Sequence, residues 1–324
     1  MTTGVAQTGV AQTGVALSTF ATDPTTTDVV GRAIDLADEA ARAGIDGVWF
    51  GQLFSYDAVT LAALVGRAVE SVTVGTSVIP LYPRHPIHLA AAAKTAQAAT
   101  GGRFQLGVGL GARDLTEPTF GIELPPPIRG LRDHLTALRP LLDGRQDAVR
   151  TETITAAPPL PTAVAGAEEQ IPLIVAAMGP QALRAAGELA DGTLPFLAGP
   201  KVIREHIAPV IRKAAADAGR PEPRIIAAVP AVVTDDVDRA RAAAAESAAF
   251  YDRIPSYQRV IELNGSSKAA DLFVIGDEVV VADGLQEYLD AGATEVVVTQ
   301  ADLIGDDTRA RTWEVVGRWA SGSR

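Results

Sequence analysis

Short β-rich runs and longer helical patterns alternate along the whole of this 324-residue chain. That alternation limits the fold more than any other feature. Residues 14–18, 47–50, 72–79, 104–108, 173–177, 192–195, 224–229 and 295–299 read as strands. A helical pattern follows each one. In 28–43, Val29, Ala33, Leu36, Ala37 and Ala40 recur at helical spacing, and Gly44 supplies the stop. The segment 86–100 opens on Pro86 and ends at Gly101-Gly102. Strand–helix units strung this way build a parallel sheet with helices outside, and eight of them predict a closed (β/α)8 TIM barrel. An open doubly wound sheet is the competing arrangement. Its glycine fingerprint is missing, since Gly107-Val108-Gly109-Leu110-Gly111 lacks the third glycine at the required spacing.

Composition narrows the class. The chain is 47% apolar and 21% charged, enough for a sizeable core. A net charge of -11 disfavours nucleic acid as a partner. The absence of cysteine excludes disulfides, thiolate catalysis and Cys-based zinc sites, and it fits a cytoplasmic protein. The four histidines are scattered, so no metal is expected. Apolar runs break well short of the ~20 residues a membrane span needs. The first basic side chain is Arg32, which argues against a secretory signal. The unit Thr-Gly-Val-Ala-Gln stands at 3–7 and 8–12 and recurs as Thr-Gly-Val-Ala-Leu at 13–17. Only the third copy precedes a helix at the spacing of a first barrel strand. Residues 1–12 therefore read as an extension and 13–324 as one barrel with insertions. Residues 145–170 form an irregular Pro-rich excursion, and 235–263 an Ala-rich helical stretch interrupted at Pro255.

In such a barrel, sites occupy the loops that leave the C-terminal ends of the strands. Three of those loops are distinctive. One is Gly75-Thr76-Ser77-Val78-Ile79-Pro80-Leu81-Tyr82-Pro83-Arg84-His85-Pro86. The second is Thr100-Gly101-Gly102-Arg103-Phe104, running on to Gly109. The third is Ala177-Met178-Gly179-Pro180-Gln181, followed by Glu188-Leu189-Ala190-Asp191-Gly192. In this order and spacing the chain resembles the bacterial luciferase-like monooxygenase superfamily. Within it, the resemblance is to the branch that uses the deazaflavin coenzyme F420. It runs from about residue 14 to residue 300. It implies a (β/α)8 barrel with insertions, F420 as cofactor with FMN as the alternative, and a homodimer.

The resemblance also assigns residues. Ser77-Val78, after Thr76, matches the pair that carries a non-proline cis peptide and makes a bulge behind the deazaflavin ring. Composition alone reads it as a buried strand end. Gly179 lets backbone approach a ligand, and Pro180 at the first helical position wastes no N–H. The free N–H groups there suit an anion. By resemblance, Ala177, Met178, Gly179, Pro180 and Gln181 hold the cofactor phosphate; the plainer reading is an ordinary helix start. Gly109 and Gly111 let the ring or its tail pass closely. Many family members place His, Asp or Glu at the end of the second strand. This chain has Gln52, which cannot exchange a proton at neutral pH. Gln52 and Tyr56 are the catalytic candidates. Tyr56, Asp57 or solvent then handles the proton, or the reaction needs little acid–base help. Asp57 is well placed as a helix N-cap. Arg84-His85-Pro86 shapes the next helix start. Arg113, Asp114 and Glu117 read as a solvated loop.

The expected function is hydride transfer from reduced F420 to an activated C=C or C=N bond of a small organic substrate. An FMN-dependent monooxygenase and a non-catalytic flavin-binding protein are the alternatives. The stretches 110–129 and 230–277 are expected to shape the substrate pocket, with Pro125-Pro126-Pro127 holding one wall and Tyr251, Tyr257 and Arg259 lining the other or supporting packing.

Overall fold

A computed structural model describes residues 12–17, 26–52 and 54–322. Eight parallel strands form the barrel: β1 Gln12–Leu17, β2 Gly47–Phe50, β3 Thr73–Thr76, β4 Phe104–Gly109, β5 Leu173–Val175, β6 Gly192–Thr193, β7 Arg224–Val233 and β8 Glu295–Thr299. Each pairs with the next, and β8 returns to β1 from Gln12 opposite Glu295 to Val15 opposite Val298. The eight barrel strands therefore close on themselves. Gln12 belongs to β1, so the described part of the first strand includes the last residue of the second repeat copy. The rest of the first two copies lies outside the described residues.

The helices begin where the sequence caps them. Asp28 accepts the Gly31 N–H, Asp57 the Thr60 N–H, and Asp277 the N–H groups of Val279 and Val280. The excursion contains a small antiparallel hairpin, Val149–Arg150 with Thr155–Ala156. The Ala-rich stretch divides into Val237–Ala248 and Pro255–Asn264, breaking before Pro255. Two strands depart from expectation. β7 runs on to Val233, because its end pairs with an added strand, Val274–Gly276. The third expected strand splits into β3 and a short piece, Ile79–Pro80. Among the described residues, no helix is long and apolar enough to cross a membrane.

Two apolar layers hold the barrel. The larger lies between strands and helices and includes Phe50, Phe104, Leu106, Leu135 and Leu173, all fully buried. The smaller fills the interior with Trp49, Ile174, Leu194, Ile226, Ala228 and Val297. The Trp49 indole needs bare backbone beside it. A Cβ on Gly14 would fall 2.9 Å from its Nε1, and one on Gly75 2.5 Å from its Cε3.

The N-terminal mouth is closed by charge. Arg224 forks onto Glu295, with Nε to Oε1 at 2.5 Å and Nη2 to Oε2 at 2.6 Å. Asp191 accepts the Leu173 N–H at 2.8 Å and takes Arg139 and Arg220 at 3.0 and 2.8 Å. Arg103 donates to the carbonyls of Gly66, Val69 and Val72, which caps the end of helix Ala58–Ala68. The Gly-Gly-Arg and Ala-Asp-Gly parts of the sequence motifs thus serve stability on the face away from the site.

The Arg224–Glu295 pair gives a stability prediction. Glu295→Ala strands the Arg224 guanidinium and is expected to cost about 3 kcal/mol. Replacing both residues with apolar ones is expected to cost less. Urea unfolding of the two variants checks the order.

Candidate functional site

The site is built on the interruption of β3. Gly75 pairs with Gln105 and Ile79 with Val108. Thr76, Ser77 and Val78 therefore face only Leu106 and Gly107, which is a one-residue bulge. The buried Thr76 hydroxyl replaces the missing ladder contacts. Its Oγ1 donates to the Gly107 carbonyl at 2.8 Å and accepts the Gly107 N–H at 2.9 Å. The Ser77–Val78 peptide is cis, as the resemblance implies. The bulge also dictates glycine in β4. A Cβ on Gly107 would lie 1.8 Å from the Thr76 carbonyl oxygen, and one on Gly109 2.8 Å from Val78 Cγ2.

Neighbouring loops gather on this step. The Ser77 N–H donates to the Phe50 carbonyl at 2.8 Å, and a Cβ on Gly51 would sit 3.5 Å from the Ser77 carbonyl oxygen. The Leu81 N–H donates to the Gly109 carbonyl at 2.8 Å. On the far side of β4, the Ala176 N–H donates to the Val108 carbonyl at 2.8 Å. Gly111 turns with φ +73°, a conformation that favours glycine.

Gln52 and Tyr56 lie beside the bulge, in hydrogen bonds that hold their own loop. Gln52 Nε2 donates to the Tyr56 carbonyl at 2.6 Å. Its Oε1 accepts from the Ala58 N–H at 3.1 Å and from Arg84 Nη2 at 2.9 Å. The Tyr56 hydroxyl donates to the Gly51 carbonyl at 2.8 Å, and burial pushes its phenol up to about 12. Burial pushes the Asp57 carboxyl up, but the Thr60 N–H and the Arg84 guanidinium hold it below its ordinary value. None of these groups is poised to exchange a proton near neutrality.

His85 caps helix Pro86–Ala99, its Nδ1 accepting the Ile87 N–H at 3.2 Å. That tautomer leaves Nε2 as the donor, 3.1 Å from the Thr155 carbonyl of the hairpin. The solvated loop expected around Arg113 is a helix instead, Arg113–Phe120. The Arg113 guanidinium pairs with Glu117 and donates to the Leu124 and Pro125 carbonyls at 3.0 and 2.6 Å. These bonds pin the following Pro-rich turn and account for the order.

The phosphate-loop candidates stand after β5. Helix Pro180–Leu189 starts at Gly179 with no side-chain cap. A Cβ on Gly179 would meet nothing within 4 Å among the described residues, which leave the helix start open. Beneath it, the buried Thr193 hydroxyl lies 2.9 Å from both the Val175 and Ala177 carbonyls and accepts the Ala177 N–H at 3.4 Å. Thr193 and Gly107 are supports that sequence reasoning missed. Gly107 was legible only as part of a loose Gly-x-Gly pattern, and nothing local marks Thr193. His134 was missed too. It is buried edge-on to Tyr82, 5.7 Å between ring centres, and neither ring nitrogen has a hydrogen-bond partner among the described residues.

A family model described as luciferase-like monooxygenase matches residues 12–319. An F420-dependent glucose-6-phosphate dehydrogenase of Kineococcus radiotolerans is 26% identical over 300 residues, covering 82% of this chain and 86% of that protein. A coenzyme F420-dependent tetrahydromethanopterin reductase from Methanopyrus kandleri superposes with a TM-score of 0.74 at 22% identity, over 95% of this chain and 98% of that one. The oxygenating constituent of 3,6-diketocamphane monooxygenase of Pseudomonas putida, a type II Baeyer-Villiger enzyme in complex with FMN, superposes at 0.73 and 16% identity, over 97% of this chain and 98% of its own. These likenesses between structures establish the barrel fold.

Two measurements follow from the geometry. Thr76→Val leaves the Gly107 N–H and carbonyl buried without partners and is expected to cost about 2–3 kcal/mol in urea unfolding. Thr76→Ser retains the hydroxyl and most of the stability. His134 supplies a pH dependence. Burial, with His85 adding to it, pushes its imidazole down from 6.5 to about 4. Between those values the unfolded chain binds more protons, so stability falls as pH falls through that window. The loss is on the order of 3 kcal/mol at most. His134→Leu is expected to flatten that part of the stability profile; an unchanged slope contradicts the assignment.

Proposed function

The chain belongs to the luciferase-like monooxygenase family, and from that premise we propose that it is a coenzyme F420-dependent oxidoreductase. It moves a hydride between the reduced deazaflavin and an activated C=C or C=N bond of a small organic substrate. The braced bulge at Thr76, Ser77 and Val78 carries this assignment. It sits where the resemblance sets the ring, and Gly107 and Gly109 of β4 leave the room that the bulge itself occupies. The F420-dependent relative matches most of the chain and supports the same cofactor.

The residues present fit the group. On this reading Ser77 and Val78 would support the ring, and the turn from Gly109 to Gly111 would run beside it. At the open, uncapped start of helix Pro180–Leu189, backbone N–H groups and the positive dipole end suit a phosphate. Ala177, Met178, Gly179, Pro180 and Gln181 form that cradle. When bound, the deazaflavin supplies the hydride chemistry, and the barrel supplies orientation and electrostatics. Gln52 and Tyr56 position the loop beside the bulge. The Tyr56 hydroxyl is committed to the Gly51 carbonyl, and with its phenol pushed up to about 12 it stays protonated and offers no general base near neutrality. That favours reduction of an already polarised acceptor over alcohol oxidation, which needs a general base. The FMN-bound neighbour supports a second reading, an FMN-dependent monooxygenase on the same barrel. We also take the protein to be a cytoplasmic homodimer, which sedimentation yielding only a 33.6 kDa species would refute.

Titration of the purified chain with each cofactor, followed by ring fluorescence, tests the assignment. F420 is expected to bind; tight FMN binding with no response to F420 sinks it. Gly179→Asp is a sharper probe. The space is open and Asp is a favourable cap, so stability is expected to hold. The added carboxylate faces the phosphate, so F420 affinity is expected to fall roughly tenfold.

A further inference from the structure

An aromatic column stands on the β6–β7 side of the mouth. Phe196 is the next inward position after Leu194, bridges Ala228, and packs on the interior cluster. The rings of Tyr251 and Tyr257 meet it edge-on, with centroids 5.2 and 6.2 Å away, and lie 4.9 Å from each other. Phe250 continues the column 5.6 Å from Tyr251 and is 55% exposed. The rings therefore run from the barrel interior to solvent. The same interior cluster contains Trp49, whose indole lies against Gly75 just before the bulge.

A second exposed pair lies across the mouth. Phe54 follows β2 and Phe120 ends the helix after β4, with ring centroids 6.3 Å apart and exposures of 73% and 44%. Strands two and six of an eight-stranded barrel stand opposite each other. Paired exposed aromatics mark a contact surface more often than chance exposure does. The arginines of the loops after β3 and β4 are committed elsewhere, Arg84 to Gln52 and Asp57, and Arg113 to Glu117, Leu124 and Pro125.

We propose that this column is the substrate wall and that the substrate is a neutral, apolar, ring-bearing molecule, with Phe250 and Tyr251 setting specificity. The proposal rests on the F420 oxidoreductase reading and supplies its acceptor class. A ring gains edge-to-face and stacking contacts along the column. A carboxylate or phosphate laid against these ring faces would lose water to apolar surface, and the arginines of the same segment, Arg253 and Arg259, are exposed rather than stacked on the column.

Calorimetric titration of the full chain with benzylideneacetone and with its para-carboxylate tests this. The neutral enone is expected to bind at least about tenfold more tightly. Phe250→Ala and Tyr251→Leu are each expected to weaken enone binding several-fold, while Tyr251→Phe retains it and all three keep the wild-type fluorescence response to F420. The Phe250 side chain is largely exposed, so that variant folds even if Tyr251→Leu does not. Equal affinity for the carboxylate, no enone binding, or enone affinity unchanged in Phe250→Ala overturns the wall. Enone preference in a chain that ignores F420 strikes the cofactor reading instead, so the two failures are told apart.

Discussion

The Thr76 hydroxyl, clasped between the N–H and the carbonyl of Gly107, is the interaction on which the site depends. A parallel strand cannot carry an extra residue without losing ladder hydrogen bonds. This one side chain restores a donor and an acceptor at the point of loss. With the clasp in place, Ser77 is held against Phe50 and Gly51 on one side, and Val78 against Gly109 on the other. The loops after β2, β4 and β5 then take their positions from a fixed step in the barrel wall.

The two ends of the barrel do different work. At the N-terminal end, charge is spent on cohesion, through Arg224 with Glu295, Asp191 with its two arginines, and Arg103 with three carbonyls. At the C-terminal end, the strong cations Arg84 and Arg113 also serve the loops themselves. Beside them, the described loops bring backbone, glycine and aromatic side chains to that end. On the proposed reading, such a site would orient and shield a bound group that supplies the chemistry.

The barrel was legible because its signal is periodic. Eight short runs followed by capped helices leave few other architectures, and even the break before Pro255 could be read. The bulge was legible through the motif around Ser77-Val78, but its cause was not. Thr76 and Gly107 are 31 positions apart, and only the register of β3 against β4 joins them. Arg113 looked solvated because its carbonyl partners, on Leu124 and Pro125, are set by a turn that composition does not specify. Gln52 and Tyr56 lie in the loop that follows β2, beside the step. That their polar atoms brace the loop depends on backbone geometry, which residue type does not reveal.

Trp49 has one more consequence. Its indole occupies volume that belongs, by position, to three strands, and it does so because Gly14 and Gly75 contribute none. The three positions share a single allotment of space. A methyl at either glycine becomes admissible only after the indole has shrunk, and a smaller residue at 49 leaves a void that the glycines cannot fill. Among descendants of this chain, drift at these positions is therefore bound to be coordinated, with the order of substitutions as constrained as their identities.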